Sequence, residues 1–497
     1  MVMENLTDGE IKTHLVRGGF WVFLVRVTEK GLGFVKLIIL ANLLVPRDFG
    51  LLGIALLAVS TLEIFTRTGF EDALIQQRRD IKPYLDTAWT FLVGRGLVLY
   101  LAVFLLAPLI AGFFQSPASV LIIQVLGLSV IVKSLTNIRV LGFLKDLDFR
   151  RHFWYITFGS VVEFLVTVTL AVVLRNVWAL VIGSIAAHLC RLAASYFLCR
   201  VRPRMAFSVQ KARELFRYGK WVTGSSVLSF LITQGDDIVV GKLLGTLSLG
   251  FYQMAYRISN LPATEITQVL SRVSFPLYSR LQSDPRRLRD SYLRLLKVTV
   301  FLSFPVALFF LSSAGLFTSV FLGEKWHSII PVIRILSLWG LIRSVGATTG
   351  AVFKATGRPD LLTKIHLAKL SLLILLIFPL VWQWGLLGAA LAVTLNGLII
   401  NPLAAWLTLR QLQIEPRRYV RILVLPALAA LGMTGGILLL TTLLSHLPAL
   451  LLMTAVILAA AVLYAAGYQL FRKVFGDPVT AINFREFRST LNRGKGS

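Results

Sequence analysis

The chain has 497 residues, 56% hydrophobic and 15% charged, with a mean hydropathy of +0.76. That composition excludes a soluble enzyme of this size and implies a polytopic membrane protein. The formal net charge of +27 does not indicate a nucleic-acid partner, because no basic stripe with interleaved aromatics stands on a soluble domain.

Glu4, Asp8 and Glu10 precede an opening apolar segment far longer than a signal core, so no cleavable signal is expected. Apolar segments then follow near 15–44, 49–75, 85–113, 118–141, 150–174, 177–199, 214–244, 247–279, 292–318, 328–353, 360–382, 385–409, 420–444 and 448–471. A helix through the hydrocarbon core needs roughly 20 residues, so these predict fourteen transmembrane helices. Lys and Arg accumulate in every second loop. The clusters are Arg78, Arg79 and Lys82; Lys145, Arg150 and Arg151; Arg200, Arg202 and Arg204; Arg286, Arg287 and Arg289; Lys354, Arg358 and Lys364; and Arg417, Arg418 and Arg421. The intervening loops, such as Gln115 to Pro117, Thr246 to Ser248 and Gln383 to Gly385, are short and nearly uncharged. Positive loops face the cytoplasm, which predicts both termini inside.

The chain from Arg217 repeats the chain from Arg17 at a shift of 200 residues without gaps. Arg17, Gly19, Trp21, Val22, Val27, Ile38, Leu43, Leu44, Gly50 and Ala55 recur as Arg217, Gly219, Trp221, Val222, Val227, Ile238, Leu243, Leu244, Gly250 and Ala255. Both copies enter from the same side, as in parallel repeats about an axis along the membrane normal. The expected division is a six-helix lobe at 1–205, a second at 206–412, two further helices at 413–475 and a cytoplasmic tail at 476–497.

The first segment carries Arg26, Glu29, Lys30, Gly33 and Lys36 on one stripe. At 1.5 Å per residue these positions lie roughly 16–32 Å along the helix, too deep for all of them to snorkel. A polar cavity between the lobes is expected in preference to purely structural ion pairs. The second segment places Glu63 and Arg67 four residues apart, a natural local pair. Arg95, Lys133, Glu163, His188 and Arg191 follow in the third to sixth segments, with Arg95 and Glu163 as candidate partners. The seventh carries Gln234, Asp236, Asp237 and Lys242. The eighth carries Arg257, Asn260, Thr264, Gln268 and Ser271, with Pro262 expected to loosen it. The tenth aligns Arg334, Ser337, Gly340, Ser344 and Thr348, with Arg343 to one side. Intramembrane charges usually mark a transport path. Cations outnumber acids on these faces, and arginine grips phosphate oxygens through its planar fork. The substrate-binding candidates are therefore Arg26, Lys30, Lys36, Arg257 and Arg334. Glu29, Asp236, Asp237 and Lys242 are candidates for coupling or gating. At the repeat shift Lys36 corresponds to Asp236, so a pair of Lys36 with Asp236 (or its neighbour Asp237) across the cavity is expected in one state, parting in the other; pairing of each within its own lobe is the alternative.

Between Ile422 and Phe471 there is no Asp, Glu, Lys or Arg, leaving either plain scaffold or an apolar wall for a lipid chain. Cys190 and Cys199 are nine residues apart, roughly 13 Å along a helix, too far for a disulfide. Their spacing matches no metal site, and no nucleotide loop is present. No cofactor is expected, and the drive would come from a proton or sodium gradient, membrane potential or removal of product.

The opening segment Arg17 to Gly50 with PRDFG at 46–50, TGFEDALIQQ at 68–77, GDDIVVGKLLG at 235–245 and KATGRPDLLTK at 354–364 resemble the Wzx-type oligosaccharide flippases. That superfamily also holds multidrug extruders and lipid II flippases. The resemblance covers nearly the whole chain. It implies an all-α membrane protein of six-plus-six-plus-two helices that is not an enzyme. It implies translocation of a polyprenyl-pyrophosphate-linked oligosaccharide to the outer leaflet, with cavity cations holding the pyrophosphate. Arg26, Lys36 and Arg257 are the candidates by position. The implied partners are the lipid-linked oligosaccharide, membrane lipids, and a polysaccharide polymerase and chain-length regulator, in the cytoplasmic (inner) membrane. A multidrug exporter and a lipid II flippase are the alternatives.

Overall fold

A computed structural model describes residues 8–76, 81–145, 148–199 and 201–475. Arg78, Arg79, Arg200 and the tail at 476–497 lie outside the described residues, as do the side chains of Arg17, Lys145, Arg217, Trp221, Pro262, Thr264, Gln268 and Ser271. The described residues form α1 (Asp8–Leu43), α2 (Pro46–Phe65), α3 (Phe70–Gln76), α4 (Lys82–Phe113), α5 (Ser119–Ser134), α6 (Leu141–Lys145), α7 (Phe149–Leu174) and α8 (Trp178–Leu198). They continue with α9 (Val209–Arg280), α10 (Pro285–Phe317), α11 (Ile330–Val345), α12 (Thr349–Ala355), α13 (Pro359–Leu412), α14 (Pro416–Leu443) and α15 (Ala449–Phe475). No strand occurs among them. Lipid supplies no hydrogen bonds, so a spanning backbone must satisfy its own, and continuous helix does this. Ten helical stretches among the described residues are long and apolar enough to cross a membrane. The chain is an all-α polytopic membrane protein.

Two of the helices are too long for one crossing. α9 has 72 residues and α13 has 54, whereas about 20 suffice. Each is broken at one glycine, Gly385 within a predicted loop and Gly245 immediately before one. Gly245 has φ 80° and ψ −179°, and Gly385 has φ 54° and ψ −126°. Positive φ of this kind is open to glycine and strained for other residues. The chain doubles back at both breaks. A Cβ on Gly388 would collide with the Leu380 carbonyl, and one on Gly241 would lie 3.2 Å from Leu249 Cδ2. Residues eight apart in a straight helix stand roughly 12 Å apart.

Other ends follow from local chemistry. Asp148 and Asp284 cap α7 and α10 by accepting from the Arg151 and Arg287 amides, each at 3.1 Å. Such caps satisfy donors that the first turn leaves open. Proline stands at the start of α2, α10, α13 and α14, where its missing N–H costs nothing.

The chain divides into two compact units, Met1–Gly250 and Phe251–Ser497. In the first, α1 and α8 pack on α7, α4 packs on α5, and α5 also meets α2 and α8. Trp21 of α1 lies against Phe153 of α7 with ring centroids 5.2 Å apart. The segment between α8 and α9 is strapped onto the start of α4. The Arg204 amide donates to Asp86 Oδ1 (3.2 Å), the Ala206 amide to Thr90 Oγ1 (3.1 Å) and Lys211 Nζ to the Pro83 carbonyl (2.8 Å). Leu215 then enters a core with Phe70, Leu74, Leu85 and Trp89.

In the second unit α10 is the hub, packing on α11, α14 and α15. Its core holds Tyr278, Tyr292, Phe304, Met433, Ile437 and Tyr464. The Tyr464 hydroxyl donates to the Phe301 carbonyl at 2.8 Å. α14 and α15, without Asp, Glu, Lys or Arg between Ile422 and Phe471, are thus packed onto α10. They still show lipid-suited faces, with Leu458 69% and Val462 67% exposed.

Candidate functional site

The charged stripe of α1 forms as its spacing predicts. Arg26, Glu29 and Lys36 are half-buried, while Lys30 is exposed. Lys36 donates to Glu163 of α7 and forms an ion pair with it. In this conformation Lys36 is thus paired inside its own lobe, the alternative the sequence offered, and Glu163 is engaged by Lys36 and not by Arg95. The reason is packing: α1 lies against α7, so an acid of α7 is within reach of the stripe.

Asp236 is 3% exposed and Asp237 half-buried. With its amide oriented to satisfy both of its ends, Gln234 donates to Asp237 Oδ2 at 3.3 Å. Lys242, half-buried, stands 4.8 Å from the Phe113 ring centroid. That cation–π contact gives it a packing partner that the sequence did not suggest.

Arg257 of α9 and Arg334 of α11 are both exposed. Their helices touch where Ser259 Oγ donates to the Ile333 carbonyl at 3.1 Å. Ser337, Gly340, Ser344 and Thr348 are buried, and Ser337 and Ser344 donate to carbonyls of their own helix. The expected polar face of the tenth segment is therefore a close-packing face, of which only Arg334 reaches the surface. Small residues serve helix contact in membranes. Arg343 donates to the Tyr256 hydroxyl at 3.4 Å, in line with a packing charge.

The largest departure from expectation lies around Glu63. It does not pair with Arg67, four residues on. Lys133 Nζ of α5 reaches Glu63 Oε1 at 3.3 Å, and Arg67 Nη1 donates to Ser226 Oγ at 3.5 Å. Arg95 Nη2 donates to the Glu63 carbonyl (2.8 Å) and Thr66 Oγ1 (3.0 Å). Glu63, Arg67, Arg95 and Lys133 line a cavity of about 500 Å³ inside the first unit, together with His152 and Tyr155. Glu63, Arg67, Arg95 and Lys133 each stand out in the sequence, but nothing there joins them, and His152 and Tyr155 carry no such mark. The available signal was three cations in apolar segments with too few acids.

Deeper in the same unit, Arg191 of α8 lies across Gly159 of α7, where a Cβ would meet its side chain, and donates to Ser160 Oγ at 3.3 Å. His188 bonds through Nδ1 to the Ser184 carbonyl at 2.7 Å, a packing role.

The repeat also appears as geometry. Gly50 and Gly250 are both buried. A Cβ on Gly50 would overlap the Thr246 carbonyl, and one on Gly250 would overlap the Pro46 carbonyl. Positions 46 and 246, like 50 and 250, are related by the shift of 200. The contact is reciprocal, as a local two-fold requires.

A family model described as polysaccharide biosynthesis protein matches residues 39–331. The chain is 29% identical over 398 residues to the lipopolysaccharide biosynthesis protein WzxC of Escherichia coli (strain K12), covering 79% of both chains. It is 23% identical over 426 residues to the teichuronic acid biosynthesis protein TuaB of Bacillus subtilis (strain 168), covering 85% of this chain and 88% of that one. Among solved structures it resembles the lipid II flippase MurJ in an inward closed conformation, with a TM-score of 0.74 at 15% identity over 93% of this chain and 99% of that one. An inward-facing multidrug resistance MATE family transporter gives a TM-score of 0.62 at 14% identity, over 78% and 94%.

Proposed function

Because the chain belongs to the polysaccharide biosynthesis protein family, we propose that it is a flippase for a polyprenyl-pyrophosphate-linked oligosaccharide. It moves this substrate from the cytoplasmic to the outer leaflet for lipopolysaccharide, capsule or exopolysaccharide assembly. The observation that carries the reading is the match along most of the chain to a relative named for lipopolysaccharide biosynthesis. Relatives named for teichuronic acid and for succinoglycan transport support a glycan on a lipid carrier and leave its sugars open. The chain is a transporter and not an enzyme.

The membrane is the cytoplasmic (inner) one, with both termini inside. Fourteen crossings are supplied by α1, α2, α4, α5, α7, α8, the two arms of α9, α10, α11, the two arms of α13, α14 and α15. The repeat divides them into lobes at 1–205 and 206–412, followed by 413–475 and the tail. The boundary between the compact units falls at Gly250, inside the second repeat. Transport proceeds by alternating access. Arg26, Lys30, Arg257 and Arg334 meet the pyrophosphate, whose oxygens suit guanidinium forks. Lys36 joins them when Glu163 releases it, so an arriving anion competes with an internal carboxylate. Glu29, Asp236, Asp237 and Lys242 serve coupling. The polysaccharide polymerase and chain-length regulator are the protein partners.

The test is reconstitution in vesicles with defined lipid-linked glycans, with and without a proton or sodium gradient. Outer-leaflet appearance of the glycan, lost on Arg26→Ala or Arg257→Ala with insertion intact, is the expected result. Transport of organic cations without glycan transport would overturn the reading.

A further inference from the structure

The cavity around Glu63 lies at the end of the first unit that carries the basic loops. Arg26, Lys30, Lys36, Arg257 and Arg334, to which the pyrophosphate was assigned above, are not among its lining residues. Its volume of about 500 Å³ falls within the range of small-molecule sites. Arg67, Arg95 and Lys133 face Glu63 and Glu71 there, a net positive lining. Glu63 is already engaged by Lys133 at 3.3 Å.

Arg95 is the telling residue. Its side chain donates only to neutral oxygens, the Glu63 carbonyl and the Thr66 hydroxyl, both through Nη2. Its Nε is buried and makes no hydrogen bond. No carboxylate lies within ion-pair distance of it among the described residues. A guanidinium held this way is short of an acceptor, and a buried donor without one is costly. Tyr155 and His152 add a ring face and further polar atoms, a wall suited to a sugar ring.

We propose that this cavity is an oxyanion site that takes a phosphate or pyrophosphate group, with room for an attached sugar. The anion accepts from the free N–H groups of Arg95 and from Lys133, and it displaces Glu63 from Lys133. The oxyanion chemistry stands on the cavity alone. That its natural occupant is the head group of the lipid-linked glycan, held before translocation, rests on the proposed function. A soluble phosphate compound is the other source of the same chemistry.

The test uses the full chain in nanodiscs of neutral lipid. Binding of inorganic pyrophosphate is measured by thermal shift and calorimetry for the wild type, Arg95→Gln, Lys133→Gln and Glu63→Gln. Each cation removed should weaken binding about tenfold, the loss of one charge-assisted contact. Glu63→Gln should tighten it several-fold, because Lys133 loses its internal competitor. A purely structural role for Glu63 predicts no tightening. Lys133 is 48% exposed, so Lys133→Gln carries the test should Arg95→Gln fail to fold. Unchanged binding in Lys133→Gln together with unchanged or weaker binding in Glu63→Gln overturns the site. A parallel arm adds polyprenyl pyrophosphate in the same nanodiscs. Competition with inorganic pyrophosphate assigns the lipid head group as occupant. Binding of inorganic pyrophosphate without such competition keeps the oxyanion site and removes the lipid as its occupant. Failure of the vesicle transport assay leaves these binding results standing.

Discussion

The two compact units hold their charges in different ways. In the second, Arg287 pairs with Asp284, Arg358 with Asp360, and Arg418 with Asp290, all at helix ends, as Arg151 pairs with Asp148 in the first. Its interior is mostly apolar and tyrosine-rich, with Tyr278 and Tyr292 wholly buried at ring centroids 6.5 Å apart, and it also holds Lys297 within α10, 7% exposed. In the first unit, Lys36–Glu163 joins positions within two membrane helices, and Arg95 and Arg191 lie inside helices as well. An ion pair in a low-dielectric interior is sensitive to the loss of either member, whereas an exposed pair is nearly neutral. Both units hold charge inside helices; in the first it is joined from helix to helix by Lys36–Glu163 and Lys133–Glu63, contacts that an arriving anion can exchange.

That comparison can be broken most sharply at Lys36. Lys36→Ala or Glu163→Ala leaves a charge that is 20% or 30% exposed without its partner, and should cost about 2–3 kcal/mol and most of the transport. The swap Lys36→Glu with Glu163→Lys should recover more than half of both. Thermal unfolding in detergent and complementation of a transport-deficient strain would show it, and a swap no better than the single variants would end the pairing argument. A smaller effect is expected at the reciprocal glycines. Gly50→Ala and Gly250→Ala each push a methyl into a backbone carbonyl, and overpacking costs roughly 1–3 kcal/mol. The double variant should fall short of the sum, since the first methyl already parts the turns. Within the second unit, Tyr464→Phe removes the 2.8 Å bond to Phe301 and should lower stability by about 1 kcal/mol. Smallest of all, Arg418→Ala breaks a pair with side chains 43% and 49% exposed. It should change unfolding by less than about 0.5 kcal/mol.

The sequence carried the parts of the fold written in local chemistry. The predicted loops starting at Gln115 and ending at Gly385 each hold a position of positive φ, and the turn at Gly245 stands immediately before the predicted loop Thr246 to Ser248. Partners across helices were not legible. Lys36 and Glu163 are 127 residues apart, and nothing in either segment marks the other. At Glu63 the spacing was misleading: four residues make an arginine available, yet α5 brings Lys133 closer. Polar spacing on the tenth segment was read as a wet face, but Ser337, Gly340 and Ser344 are small enough to serve a dry contact equally well. Burial decides between the two, and burial is a tertiary property.

The meeting of Pro46–Gly50 with Thr246–Gly250 has a further consequence. The close approach itself is made by backbone carbonyls and glycines, which carry no net charge. The same stretch nevertheless holds Asp48, 8% exposed, whose Oδ2 accepts from the Val45 amide at the start of α2 at 3.2 Å. The joint is therefore not electrically silent: a carboxylate is built into the turn that carries one of its two glycines. A dependence of the cycle on an ion gradient has this entry at the joint itself, beside those through Glu163 and Glu63 in the same unit.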